Sequence, residues 1–168
     1  MAACRSEGGS RPNMTWWFED YEAAGAGHRW TSPTQTISED DIARFARLTG
    51  DTHPQHLDAA YGASSGYGAC IAHGFLTISV ASGLVYRIGL DEGSSHAILT
   101  TWWRLLAPVY AGDSIHVAVS LTGCRRSQSH PALGIVKRRY EVVKQDDQVV
   151  AAGRLVLLCK CRDGRAMT

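Results

Sequence analysis

The sequence predicts an α+β domain in which a curved antiparallel sheet wraps around one long apolar helix. Two observations carry this. From Gly74 to about Ile88 the chain is almost wholly apolar, with no charge before Arg87, and a helix apolar on nearly all sides is one buried on nearly all sides. Behind it come four long segments, at about 97–107, 114–126, 132–145 and 148–161, with the alternation of strands, clearest in Ile115-His116-Val117-Ala118-Val119-Ser120-Leu121. A sheet of this size must hide both faces. One helix covers one face, so the other face and an open edge favour pairing with a second copy of the chain.

The elements follow in order. Residues 1–13 are small, polar and rich in Gly and Arg, and are expected to be disordered; 162–168 read as a frayed tail, leaving 14–161 as a single domain. Trp16-Trp17-Phe18 is apolar enough to pack onto the domain. His28 to Thr36, anchored by Trp30 and Ile37, reads as a first strand. Ser38 caps a helix with Asp41 three residues on, Ile42, Phe45, Ala46 and Thr49 share a face, and Gly50 ends it. Residues 51–72 form a loop with short helical turns, broken by Gly62, Gly66 and Gly68. Pro108 and Gly112-Asp113 punctuate the turn before the strand at 114, and Asp146-Asp147 marks a tight hairpin.

Composition narrows the function. The chain has 168 residues and a formal net charge of +1, so nothing basic points to nucleic acid. Its five cysteines, Cys4, Cys70, Cys124, Cys159 and Cys161, form no CxxC pair, which argues against a zinc site and for a reducing compartment. The start lacks the apolar run of a signal peptide, and no stretch reaches the ~18 apolar residues of a membrane span. The expectation is a cytoplasmic protein with a small-molecule partner and no cofactor or metal.

The chemistry concentrates in Leu48-Thr49-Gly50-Asp51-Thr52-His53-Pro54-Gln55-His56-Leu57-Asp58, just after a helix end. A carboxylate and an imidazole across a Pro-stiffened turn can converge on one water, as acid–base work on a polarised double bond requires. The plainer alternative is that Asp51 is a turn residue and His56 lies on the surface. In Ile71-Ala72-His73-Gly74-Phe75 the long helix begins, and Gly74 there offers a backbone N–H at the positive end of the dipole, suited to a carbonyl. Gly74 would equally serve close packing, and His73 reads better as a hydrogen-bonded core histidine than as a base. Of Trp102 and Trp103, one should face the helix and one should face outward, filling core or narrowing a ligand tunnel.

The chain resembles the MaoC-like family, which includes (R)-specific enoyl-CoA hydratases. Three blocks carry the likeness in order: Phe45-Ala46-Arg47-Leu48-Thr49-Gly50-Asp51-Thr52-His53-Pro54-Gln55-His56, then His73-Gly74, then Arg104-Leu105-Leu106-Ala107-Pro108-Val109-Tyr110-Ala111-Gly112-Asp113. The resemblance implies a hotdog fold and a lyase of fatty-acid metabolism acting on acyl thioesters of coenzyme A or an acyl carrier protein. It implies catalytic Asp51 and His56, Gly74 on the thioester carbonyl, and Ser82 in support. This chain departs from the pattern at His53, where the family has Asn, at Gln55, where it has an aliphatic residue, and at Gly62, where Ala or Ser is usual. The open alternatives are a hotdog thioesterase, an enzyme that adds or eliminates a group other than water, and a non-catalytic acyl-thioester binding or dimerisation module.

Overall fold

The computed structural model describes residues 15–162. The expectations for residues 1–14 and 163–168 lie outside the described residues. In chain order the elements are α1 (Phe18–Ala24), β1 (Arg29–Thr31), β2 (Gln35–Thr36), α2 (Glu39–Thr49), α3 (Pro54–Leu57), α4 (Ala59–Ser64), α5 (Gly74–Tyr86), β3 (Ser95–Leu105), β4 (Ser114–Arg126), β5 (Leu133–Lys144) and β6 (Val149–Lys160). The sheet runs β1-β4-β5-β6-β3, with β2 also on β4, and every pairing is antiparallel.

Two local differences from the sequence reading have physical causes. The expected first strand is split into β1 and β2. Pro33 falls between them and has no N–H for the ladder. Ser32 closes the first half instead, its backbone N–H donating to the Val117 carbonyl and its hydroxyl accepting from Val117 N–H. The apolar run at Trp16 is the entry to a helix, α1, started by Asp20, whose carboxylate accepts from Trp17 N–H. That helix buries Phe18 and Tyr21 completely. Phe18 lies directly on Gly134 of β5, where any Cβ would collide with its ring.

The helix α2 is capped as expected. The Ser38 hydroxyl accepts from Asp41 N–H, the Asp41 carboxylate accepts from Ser38 N–H, and Gly50 closes the helix at φ +78°. Ile42 and Ala46 are buried, Phe45 is half-buried and Thr49 is exposed.

The strands curl around α5, whose Leu76, Thr77, Ala81, Leu84 and Val85 are buried. Facing them are the alternating buried residues of β4 and β5, among them Val117, Val119, Leu121, Val136 and Val142. Contrary to the expectation of near-complete burial, one side of α5 stays open in the single chain. Phe75 is 75% and Tyr86 48% exposed, and Ser79, Ser82 and Gly83 lie on the same side. The edge strand β3 is open too, with Ile98, Leu99, Trp102 and Leu105 exposed. Trp103 turns inward, stacks on Tyr140 at 5.8 Å and covers Gly153, so the two tryptophans do point to opposite faces.

The turn from β3 to β4 is fixed by one carboxylate. Asp113 accepts from Tyr110 N–H at 2.8 Å and from the Gln145 amide at 2.8 Å, and pairs with Lys144 at 3.2 Å, with both charged side chains nearly buried. Burial alone would raise its carboxyl. The bonds from Tyr110, Gln145 and Lys144 outweigh that and hold it below the ordinary carboxylate range. The ionised form therefore stabilises the fold above the unfolded value of about 3.9, and that contribution is lost as pH falls through the lower folded value. In urea denaturation, Asp113→Asn should cost about 1–3 kcal/mol near neutrality. The gap between variant and wild type should narrow once pH drops well below about 4, and a gap independent of pH would contradict the assignment.

Candidate active site

Three segments build the site: the end of α2, the short helix α3, and the start of α5. Gly50 in its left-handed conformation turns the chain out of α2 and delivers Asp51. Asp51 is exposed, and its backbone N–H donates to the Thr49 hydroxyl at 3.3 Å. Pro54 opens α3, where its missing N–H costs nothing. His53 caps that helix, its Nδ1 accepting from Gln55 N–H at 3.2 Å. His56 follows within the same short turn.

The hydrogen bonds assign the tautomers of both central histidines. His56 Nδ1 lies 2.7 Å from the Ile71 carbonyl. A carbonyl only accepts, so Nδ1 carries hydrogen and, in the neutral ring, Nε2 keeps its lone pair. His73 is 2% exposed, and its Nε2 donates to the Asp51 carbonyl at 2.9 Å. His73 Nδ1 is buried and has no hydrogen-bond partner among the described residues. The His73 ring stacks on His56 with centroids 3.8 Å apart and planes 28° apart, and Phe45 packs on it at 5.1 Å. One buried imidazole thus holds the backbone of Asp51 and the ring of His56 together.

Polar atoms of Asp51, His56 and His73 all lie within 4.8 Å of one another. Such a trio could be considered for a metal ion. The face-to-face stacking of its two rings, however, sets their in-plane lone pairs side by side rather than converging on one point. The arrangement suits proton transfer better than ligation.

Gly74 is the first residue of α5, immediately after His73. First-turn amides have no intrahelical acceptor, and among the described residues no backbone carbonyl takes the Gly74 N–H. A Cβ at this position would run into the Leu105 side chain. Hollows open on either side of the Cys70-Ile71 segment. One of about 570 Å³ is lined by His56, Cys70 and Tyr110, and one of about 220 Å³ by Gly74, Ile71, Thr77 and Leu105.

Of the residues singled out in the sequence, the structure brings together Asp51, His56 and His73, and Gly74 follows His73 directly as the first residue of α5. His53 stands at the rim, exposed, its ring 6.2 Å from that of His56 and edge-on to Tyr61 at 5.7 Å. Ser82 lies two helical turns further along α5 and lines a separate small cavity. The Ile71 carbonyl went unnoticed, because a backbone acceptor leaves no mark on the sequence. Tyr110, whose hydroxyl donates to the Tyr67 carbonyl at 3.0 Å and so ties down the 65–70 loop, carries no local sequence signal for that contact across forty-three positions.

An antiparallel sheet curled around one helix defines a hotdog-fold protein. Residues 22–144 match the family model described as MaoC like domain, and the chain belongs to that family. Among curated relatives, the (R)-specific enoyl-CoA hydratase of Aeromonas caviae is 33% identical over 52% of this chain, and the protein MaoC of Klebsiella aerogenes is 32% identical over 63%. The chain spans 64% and 30% of their respective lengths. A monoamine oxidase regulatory protein from Archaeoglobus superposes with TM-score 0.80 and 27% identity, covering 89% of this chain and 97% of that one. A Mycobacterium tuberculosis protein with a double hotdog fold superposes with TM-score 0.76 at 20% identity, covering 88% of this chain and 44% of that one.

His73→Ala should destabilise the protein by about 2–4 kcal/mol in urea denaturation, through a cavity beside Phe45 and an unpaired Asp51 carbonyl. A midpoint equal to that of wild type would show that the stacked imidazole does not organise the site.

Proposed function

We propose that the protein adds water to a 2-enoyl thioester, or removes it from the 3-hydroxyacyl thioester, carried on coenzyme A or an acyl carrier protein. The observation that supports this most directly is the approach of the Asp51 carboxylate and the His56 imidazole to within 4.8 Å, beside the amide opening α5. The hydratase name of the Aeromonas relative points the same way.

In this reading the thioester carbonyl accepts from Gly74 N–H, and the positive end of α5 stabilises the enolate-like charge that grows on the carbonyl oxygen. Asp51 and His56 Nε2 hold one water. As its oxygen bonds to the β-carbon, one of its protons passes to the pair, and a proton from the pair goes to the α-carbon as the enolate collapses. The net change is addition of H and OH across the double bond, and the reverse sequence is dehydration. The Ile71 carbonyl keeps His56 aimed by holding Nδ1–H. No step passes through a metal or cofactor, because the thioester already polarises the alkene.

The apolar surface of Phe75, Ile98 and Leu105, where α5 meets β3, supports a homodimer or higher homo-oligomer formed over this face. Leu105 both belongs to that surface and packs on Gly74, so assembly would cover the site's flank.

With crotonyl-CoA and longer 2-enoyl-CoA esters, followed by loss of conjugated absorbance, Asp51→Asn and His56→Ala should each lower kcat by about 10²–10⁴. Near-normal turnover in both would end the assignment. Gly74→Pro offers a second check. His73 has φ −59° and ψ 137°, which a following proline accepts, and proline suits the first position of a helix. Loss of the N–H alone should lower kcat by about 10²–10³, while Gly74→Ala, which keeps the N–H, should lose much less. Equal losses in the two variants would assign the effect to the Leu105 contact rather than to the amide.

A further inference from the structure

Two separate hollows lie along α5, one lined by Gly74 and Thr77 with Leu105 of β3, the other by Ala81, Ser82 and Val85 with Ile98 and Trp103 of β3. Thr77 and Ala81 are one helical turn apart, so the hollow at Gly74 and a second cavity of about 70 Å³ lie in succession along the helix. Eight residues at 1.5 Å each place Ser82 about 12 Å from Gly74. On the thioester reading, an acyl chain anchored at Gly74 and running along α5 heads towards the second cavity.

The chemistry of that cavity is not that of a plain alkyl site. Its walls are Val85, Ile98 and Trp103, but also Ser82, Asp91 and Tyr140. The Ser79 hydroxyl is spent on the Phe75 carbonyl of its own helix, whereas the Ser82 hydroxyl has no protein partner among the described residues. Directly behind stands Arg138, with a side chain 1% exposed. It donates from Nη2 to Asp91 at 2.6 Å and lies 5.6 Å over the Tyr140 ring. Its Nε and Nη1 are buried with no hydrogen-bond partner among the described residues. A charge taken out of water and half-satisfied is costly, and a pocket for methylenes has no use for one. A clip fastening the 87–94 segment to the sheet would account for the Asp91 bond alone. It would not account for a wall with three polar side chains.

We propose that the acyl group taken by this site ends in a hydroxyl, seated among Ser82, Asp91 and Tyr140 and held in place by the Arg138–Asp91 pair behind them. The inference rests on the thioester reading of the site. A hydroxyl both gives and takes a hydrogen bond, matching an acceptor-only carboxylate on one side and hydroxyl donors on the other. A second carboxylate is excluded, because Asp91 already neutralises Arg138 and would repel it. Burial keeps the Tyr140 phenol protonated far above neutrality, so it remains a donor.

The test is a matched series of 2-enoyl-CoA esters of increasing length, each made with a methyl end and with a hydroxyl end, against wild type, Tyr140→Phe and Asp91→Asn. Tyr140→Phe keeps the ring under Trp103 and removes only the hydroxyl. Wild type should favour the hydroxyl-ended ester about 5- to 10-fold in kcat/KM at the length that reaches the cavity, the worth of one net hydrogen bond. That ratio should fall towards one in the variants, whereas a merely structural role would lower both esters alike. Binding of the corresponding saturated esters, measured by calorimetry, separates the two claims. Tighter, variant-sensitive binding of the hydroxyl-ended ester without turnover would sustain this inference and defeat the hydratase reading. Equal preference at every length, or a preference that survives both substitutions, would overturn it.

Discussion

The thirteen residues of α5 carry no charge, and a surface of that kind must be removed from water wherever the rest of the chain goes. β4, β5 and β6 do this by curling over it, with Val117, Val119, Val136 and Val142 turned inward. The curl needs room for aromatic rings. Gly134 yields to Phe18 and Gly153 to Trp103, so glycines within strands let α1 and the inner aromatic of β3 approach the sheet backbone. The side of α5 that the single chain leaves bare, with Phe75 and Tyr86, is the part of the same constraint left unmet.

Burying the helix also places the site. The first amide of α5 has to end somewhere, and it ends against the turn that follows α2. His73 sits at the junction and is fixed from three directions: by its bond to the Asp51 carbonyl, by the Phe45 ring and by the His56 ring. Neither Asp51 nor His56 is held deeply. Asp51 is exposed and His56 is half-buried. Their relative geometry comes from a buried neighbour and from the Ile71 carbonyl, a division of labour that leaves the two side chains open to solvent while their supports stay packed.

A second polar layer lies at the opposite end of α5. Arg138 on the inner face of β5 would be out of place in an ordinary core. It is tolerated because Asp91 reaches back from the segment after α5 and Tyr140 offers a ring face. Tyr21, donating to the Leu90 carbonyl, fastens the same segment from the α1 side. The two ends of one helix thus carry different chemistry, an acid–imidazole pair at its start and a guanidinium–carboxylate pair at its end, with an apolar wall between.

Much of this was written in the sequence. Local rules specified the Ser38–Asp41 cap, the Gly50 stop, the long apolar helix and the four alternating strands, because each depends on neighbours within a few residues. The order of Gly50-Asp51, Pro54, His56 and His73-Gly74 made these residues candidates, and the structure sets polar atoms of Asp51, His56 and His73 within 4.8 Å of one another. Tertiary structure alone decided the rest. α1 was hidden because seven residues carry too little periodicity, and its stability comes from Phe18 lying on Gly134 over a hundred positions away. The tautomer of His56 depends on a carbonyl fifteen residues distant, and the pairing of Arg138 with Asp91 on a contact across forty-seven. Periodicity reports which face of an element is buried; it does not report which partner from another element meets that face, and the chemistry of this protein lies in those meetings.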